Sequence, residues 1–109
     1  MKRKKRMPRD DYFVIVYRIL KYLYERFQEG EAPNPDKFNA EAFDVAPGYW
    51  ANILESMNDD GYVKNLALIP RVGGAPGIRT DNLKITSFGI RYLEYDEDMQ
   101  KAKELLKRS

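Results

Sequence analysis

The stretch from Pro47 to Leu93 constrains the fold most, because three kinds of segment follow one another in a fixed order. An amphipathic stretch ends abruptly at the Asp-Asp-Gly-Tyr-Val turn signal of residues 59–63. Two β-rich runs then flank a glycine-rich tip at residues 73–77. Residues 83–86 lead directly into a second helical stretch at residues 87–93. A helix, a hairpin and a helix in this order are typical of a winged helix-turn-helix, so the pattern predicts a mainly helical α+β fold of that architecture.

The first helical stretch carries apolar side chains on two faces. One face bears Phe13, Val16, Tyr17, Leu20, Leu23, Tyr24 and Phe27, and the other bears Tyr12, Ile15, Ile19 and Tyr22. The core of a small domain covers one face of such a helix, so another helix or a second subunit has to cover the other. We expect Met99, Leu105 or Leu106 of an added C-terminal helix to bury Ile15 and Ile19, within the chain or across the axis of a homodimer.

Cap and turn residues divide the rest of the chain. Gly30 is placed to end the first helix, and Asn39 to cap a short helix at residues 40–43. The helix that Pro47 opens has one buried stripe, which predicts core positions for Trp50, Ile53, Leu54 and Met57. Residues 66–69 and 78–85 read as two strands, with Leu83 and Ile85 on one face. Thr86 should cap the following helix, whose apolar residues are Phe88, Ile90 and Leu93.

The composition excludes most chemistry. The 109 residues include no cysteine and no histidine, which removes disulfides, the usual metal ligands and the common general base. No pair of carboxylates stands in an apolar context, so we expect neither an enzyme, nor a metal site, nor a cofactor. No apolar run approaches the length of a membrane span, and the chain reads as cytoplasmic.

The charge is distributed unevenly along the chain. Residues 1–9 carry six basic side chains and no acid, whereas acids outnumber bases in the rest. We therefore predict a disordered basic arm at residues 1–9 and a single domain at residues 10–109. The arm is either a solvated tail or a segment that follows DNA phosphates. In the second case its contacts would be Lys2, Arg3, Lys4, Lys5, Arg6 and Arg9.

In a winged helix, the helix before the hairpin usually contacts the DNA bases and is called the recognition helix. Here it is the predicted helix of residues 47–60, which contains no lysine or arginine. Asn52 and Ser56 are its candidates for base contacts, and its carboxylates oppose approach to phosphates. The hairpin supplies the positive charge instead, so it is either the DNA-contacting wing or a solvated strand edge. Its basic residues are Lys64, Arg71, Arg79 and Lys84.

The same segments resemble a known group, the YjcQ-type small winged-helix proteins of bacteria and their phages. The resemblance spans residues 12–108 and rests on Pro-Gly-Tyr-Trp at 47–50, Gly-Tyr-Val at 61–63 and Ile-Thr-Ser-Phe-Gly-Ile-Arg-Tyr-Leu at 85–93. It implies a winged helix with a C-terminal helix, often in phage or mobile elements, and it assigns no functional residues. The basic tail and the long glycine-rich tip depart from the plainest members.

Two functions follow as expectations. The first is a non-enzymatic module that binds double-stranded DNA, for example in transcriptional regulation. The alternative is a winged helix that binds a protein, such as a phage factor that engages a host protein, through Tyr49 and Glu55 on the acidic helix.

Overall fold

The described residues form four helices and four short strands. The computed structural model describes residues 8–70, 72–73 and 77–108, with side chains from Tyr12 onwards. The helices are α1 (Pro8–Glu29), α2 (Pro47–Asp59), α3 (Ser87–Tyr95) and α4 (Glu97–Arg108). The strands are β1 (Val63–Lys64), β2 (Ala67–Ile69), β3 (Gly77–Arg79) and β4 (Lys84–Ile85). The predicted mainly helical α+β class is therefore confirmed. The disorder predicted for the arm falls on residues 1–7, which lie outside the described part, whereas Pro8 and Arg9 belong to α1.

The four strands form two antiparallel pairs along one hairpin. β1 pairs with β4, placing Val63 opposite Ile85, and β2 pairs with β3 farther out. The prediction of one continuous second strand over residues 78–85 is wrong, because a turn at residues 80–83 separates β3 from β4. Asn65 accounts for the break on the other side: its φ of 71° is incompatible with a strand, and its side-chain amide donates to the Asn82 carbonyl at 3.1 Å.

Helix α1 is the centre of the core, and α4 covers its second face. Ile15 is 6% exposed and Ile19 is fully buried, so the burial predicted for both is confirmed within a single chain. From α4, Met99 lies in the same core, as predicted, together with Ala102. Leu105 and Leu106 stay partly exposed near the end of α4. Covering α1 therefore requires no second subunit.

Helix α2 packs on α1 through the predicted stripe of Trp50, Ile53, Leu54 and Met57, all buried. Trp50 contacts the rings of Phe38 and Phe43, at centroid distances of 5.1 and 5.0 Å. The short helix predicted at residues 40–43 is wrong, because these residues form hydrogen-bonded turns. Asn39 still acts as the expected cap, since its side-chain oxygen accepts from the Ala42 amide. These turns, rather than a helix, place Phe38 and Phe43 in the core.

The hairpin is closed at its base by a junction with α3. The Thr86 hydroxyl donates to the Gly61 carbonyl at 2.6 Å and accepts from the Gly89 amide, which confirms the predicted cap. Gly61 has a φ of 86°, which favours glycine. A Cβ atom at Gly89 would overlap the Tyr62 carbonyl, so the backbone of α3 packs directly on that of Tyr62.

This packing sets the orientation of α3. Leu93 is buried, but Phe88 is 50% exposed. Because Gly89 faces the core, the neighbouring Phe88 is rotated about 100° around the helix axis, towards the surface.

Candidate nucleic-acid interface

The outward face of α2 is only partly open. Asn52 is exposed, and Tyr49 is exposed as predicted. Ser56 is half-buried, and its hydroxyl lies 3.2 Å from the Tyr12 hydroxyl at the start of α1. Glu55 is half-buried as well. The first turns of α1 thus occupy the surface through which Ser56 would reach a base, whereas Asn52 remains accessible.

The charge of α2 is wholly negative. No lysine or arginine occurs in it, while Asp59 and the cap residue Asp60 are exposed at its C-terminal end. A phosphate backbone approaching this end would meet carboxylates and the negative end of the helix dipole. The structure therefore offers no electrostatic attraction for DNA along α2.

Two lysines stand side by side on the inner strand pair. Lys64 and Lys84 are directly opposite each other in the register of β1 and β4, and both are exposed. Alternation explains their orientation, because the neighbouring Val63 and Ile85 point into the core. Within the described residues, no carboxylate pairs with either lysine. Like charges that face each other across two strands are unfavourable, and a bound anion relieves that repulsion.

The other predicted hairpin contacts differ from these lysines. The guanidinium of Arg79 is paired with the Asp81 carboxylate at 2.9 Å, and both side chains are largely exposed. Such an exposed pair is weak, yet it offsets the positive charge that Arg79 would offer to a phosphate. Arg71 lies outside the described residues.

The residues of the predicted arm precede α1 in the chain, whereas Lys84 lies beside the C-terminal half of this helix. The arm precedes Pro8, and Lys2, Arg3, Lys4, Lys5 and Arg6 all lie outside the described residues, as does the side chain of Arg9. Lys84 lines a surface cavity together with Leu23, Phe27 and Gly30, at the other end of the helix. Since an α-helix rises 1.5 Å per residue, Leu23 in this cavity lies about 22 Å from Pro8 along α1.

Three aromatic rings form a stack at the junction of the hairpin and α3. Tyr62 lies 4.1 Å from Tyr92 and 5.2 Å from Phe88 between ring centroids, with nearly parallel planes in both pairs. We call these three residues the aromatic stack. Burial raises the pKa of both tyrosines above the ordinary value, and the negative charges of Asp60 near Tyr62 and of Asp96 near both rings raise it further.

The aromatic stack was not among the surfaces predicted from the sequence. The available signal was the i, i+4 spacing of Phe88 and Tyr92, which places both on one side of a helix. The partner ring is Tyr62, which follows the helix-ending Gly61 and is brought over α3 by the junction.

Two structural features are absent from the described residues. In this part of the chain, no three aspartate or glutamate side chains are grouped so that they could hold a metal ion. None of its helices combines the length and the apolar character that crossing a bilayer requires.

Comparison with known proteins bears on the family of the chain. The family model described as YjcQ protein matches residues 17–109. No curated protein and no solved structure gives a significant match. The matched range begins inside α1 and includes α2, the hairpin, α3 and α4, so it contains every feature that we described except the first turns of α1 and the arm. The chain therefore belongs to the YjcQ protein family, as the sequence resemblance indicated.

Proposed function

We propose that the chain is a non-enzymatic winged-helix module that binds double-stranded DNA through its hairpin and its basic arm. In this assignment α1, the turns between residues 34 and 44, and α2 are the helical part, and the hairpin from β1 to β4 is the wing. The facing pair of Lys64 and Lys84 carries the proposal. These two exposed cations are held close together by a buried backbone and have no acidic partner in the described structure.

The same geometry assigns a minor role to α2. Phosphate neutralisation by lysine and arginine supplies most of the affinity of non-specific DNA binding, and α2 has no cationic side chain to provide it. Asn52 is its one accessible candidate for an adenine contact. The mode of binding is thus a wing and an arm on the backbone, with at most a small contribution from base readout.

Titration with a duplex at two salt concentrations tests the proposal. The double variant Lys64→Gln/Lys84→Gln should bind more weakly, and its salt slope should fall by about two, because each phosphate contact contributes about 0.9 to that slope. The matched control is Lys37→Gln/Lys101→Gln, which changes the net charge equally at exposed positions outside the hairpin. An unchanged slope in the hairpin variant, or no binding at low salt, would refute the DNA proposal.

A second candidate function is protein binding, and the surface of α2 favours it. Tyr49 is exposed on a helix whose charged residues are all acidic. Aromatic anchors contribute strongly to protein interfaces, and a surface of one sign selects partners of the other. If α2 is the contact surface, Tyr49→Ala and Glu55→Lys should abolish partner binding, while any DNA affinity stays weak and sensitive to salt.

A further inference from the structure

The aromatic stack is accessible from solvent and lies beside the N-terminal end of α1. Phe88 exposes half of its surface, and Tyr62 and Tyr92 are each half-buried. Tyr12 stands one turn after Pro8, and its hydroxyl meets Ser56 on α2. Ser56 in turn lies one helical turn before Asp60, from which the chain passes directly to Tyr62. This sequence of contacts places the start of α1 next to the stack.

The surroundings of the stack are mainly acidic. Asp60 and Asp96 lie close enough to act electrostatically on the hydroxyls of Tyr62 and Tyr92, and Asp98 acts on Tyr92. The opposing charges are Arg91, which is exposed one turn from Phe88, and Lys64, which is exposed two residues after Tyr62. The three carboxylates outnumber these two cations. Aromatic faces with nearby carboxylates favour lysine and arginine side chains, through cation–π and ionic contacts together.

We propose that the aromatic stack and its acidic rim bind the basic arm of the same chain. The occupant is the segment from Lys2 to Arg6, which carries five positive charges and no acid. Its attachment point is the start of α1, and seven residues extend at most about 25 Å. The arm is therefore tethered beside a surface of opposite charge, and it does not have to cross the molecule to reach it.

Tethering also favours this occupant over a separate peptide. A short covalent connection gives the arm an effective concentration of the order of millimolar at the stack, so weak contacts suffice. The acidic rim disfavours nucleic acid at the same place, because it repels phosphates. Where the proposed DNA binding holds, duplex phosphates and the stack compete for the same arm, so the free protein would keep its arm on the stack and release it onto DNA.

A spin label on the arm tests the proposal in the full chain. The protein has no cysteine, so Lys4→Cys provides a unique attachment site for a nitroxide. The label should broaden the amide signals of Tyr62, Phe88 and Tyr92 in a nuclear magnetic resonance spectrum. Signals near Gly30 and Glu31, at the far end of α1, should remain sharp. Replacing Lys2, Arg3, Lys5 and Arg6 with glutamine should remove the selective broadening, and so should high salt.

Variants of the surface complete the test. Phe88→Leu keeps an apolar side chain but removes the ring, and Asp60→Asn removes one charge of the rim, so both should reduce the broadening. The matched control is Tyr95→Ala, which deletes an aromatic side chain that is 80% exposed on the same helix and outside the stack. Its broadening should equal that of the parent chain.

Three results would overturn the inference. The broadening would be absent or uniform, it would survive Phe88→Leu and Asp60→Asn unchanged, or it would arise between molecules. To detect contacts between molecules, spin-labelled chain at natural isotope abundance is mixed with unlabelled, isotope-enriched chain. Broadening in this mixture would identify a second copy as the occupant. None of these results depends on DNA binding, and failure of the duplex titration leaves the arm contact untouched.

Discussion

The two halves of the hairpin are alike in pairing and opposite in burial. In the inner pair, Val63 is 2% exposed and Ile85 is 1% exposed, whereas Leu68 in the outer pair is 52% exposed. Both pairs are short and antiparallel. They differ in their neighbours, because β4 contacts α1 and all three residues of β2 are exposed. Strand-forming side chains therefore do not determine which half of the hairpin belongs to the core; the helix behind it does.

Truncation of one apolar side chain in each half should separate them most clearly. Ile85→Ala should lower the free energy of unfolding by about 2–5 kcal/mol, because it leaves a cavity in the core. Leu68→Ala should change it by no more than about 0.5 kcal/mol, as is usual for exposed positions. Denaturant-induced unfolding measures both, and equal losses would contradict the distinction between the halves.

The junction that closes the inner half can be tested through its close backbone contact. Gly89→Ala would place a methyl group on the Tyr62 carbonyl, and we expect a loss of about 1–3 kcal/mol from the displacement of α3. Gly48→Ala on α2 is the matched control, since an added Cβ meets no atom within 4 Å there. That control should be neutral or stabilise by up to about 1 kcal/mol. Equal free energies of unfolding for the two variants would contradict the role of the close contact at Gly89.

A smaller effect is expected at the cap of the same junction. Thr86→Ala removes the hydroxyl that connects Gly61 to Gly89, and it should lower the stability by about 0.5–2 kcal/mol. Thr86→Ser restores the hydroxyl and should recover most of this loss. If serine were no better than alanine, the hydroxyl would not hold the junction.

The smallest expected effect is the response to alkaline pH. Burial is the main cause that raises the pKa of Tyr92, and of Tyr62, in the folded chain. Because the neutral form is favoured on folding, this stability is complete below the ordinary tyrosine pKa of about 10 and is lost as the pH rises above it. Unfolding curves measured on both sides of that pH should show the decline.

Substitution at the stack identifies the source of that decline. Tyr92→Phe should flatten the dependence on pH, since it removes the group whose ionisation opposes folding. Tyr95→Phe is the control that removes one exposed hydroxyl of the same helix. A slope that persists unchanged in Tyr92→Phe would assign the effect to other groups.

Periodicity and caps predicted most of the fold. The buried stripe from Trp50 to Met57, the burial of both faces of α1 and the Thr86 cap follow from local spacing and hydrogen-bonding capacity. Phe38 could not be predicted in this way, because it lies in a polar connector and enters the core through turns. The exposure of Phe88 could not be predicted either, because the close approach of Gly89 to Tyr62 is a contact between distant segments, which spacing along one helix cannot reveal.

The candidate interface was predicted as residue types but not as an arrangement. The sequence identifies Lys64 and Lys84 as basic residues of a hairpin, yet only the register shows that they face each other. It likewise cannot show that Tyr12 covers Ser56 or that Asp81 pairs with Arg79. The aromatic stack depends on three residues from two segments that the junction joins, so no single stretch of sequence indicates it.

The amide of Asn65 that donates to the Asn82 carbonyl fixes the two points where the outer hairpin leaves and rejoins the domain. All three residues of β2 lie between these points and are exposed, so this strand contributes little to the core. The length and composition of the outer hairpin can therefore change at small cost to folding, since loop closure depends only weakly on length. During evolution, the length and the charge of this segment can therefore change in a YjcQ protein, and insertions among relatives should accumulate there.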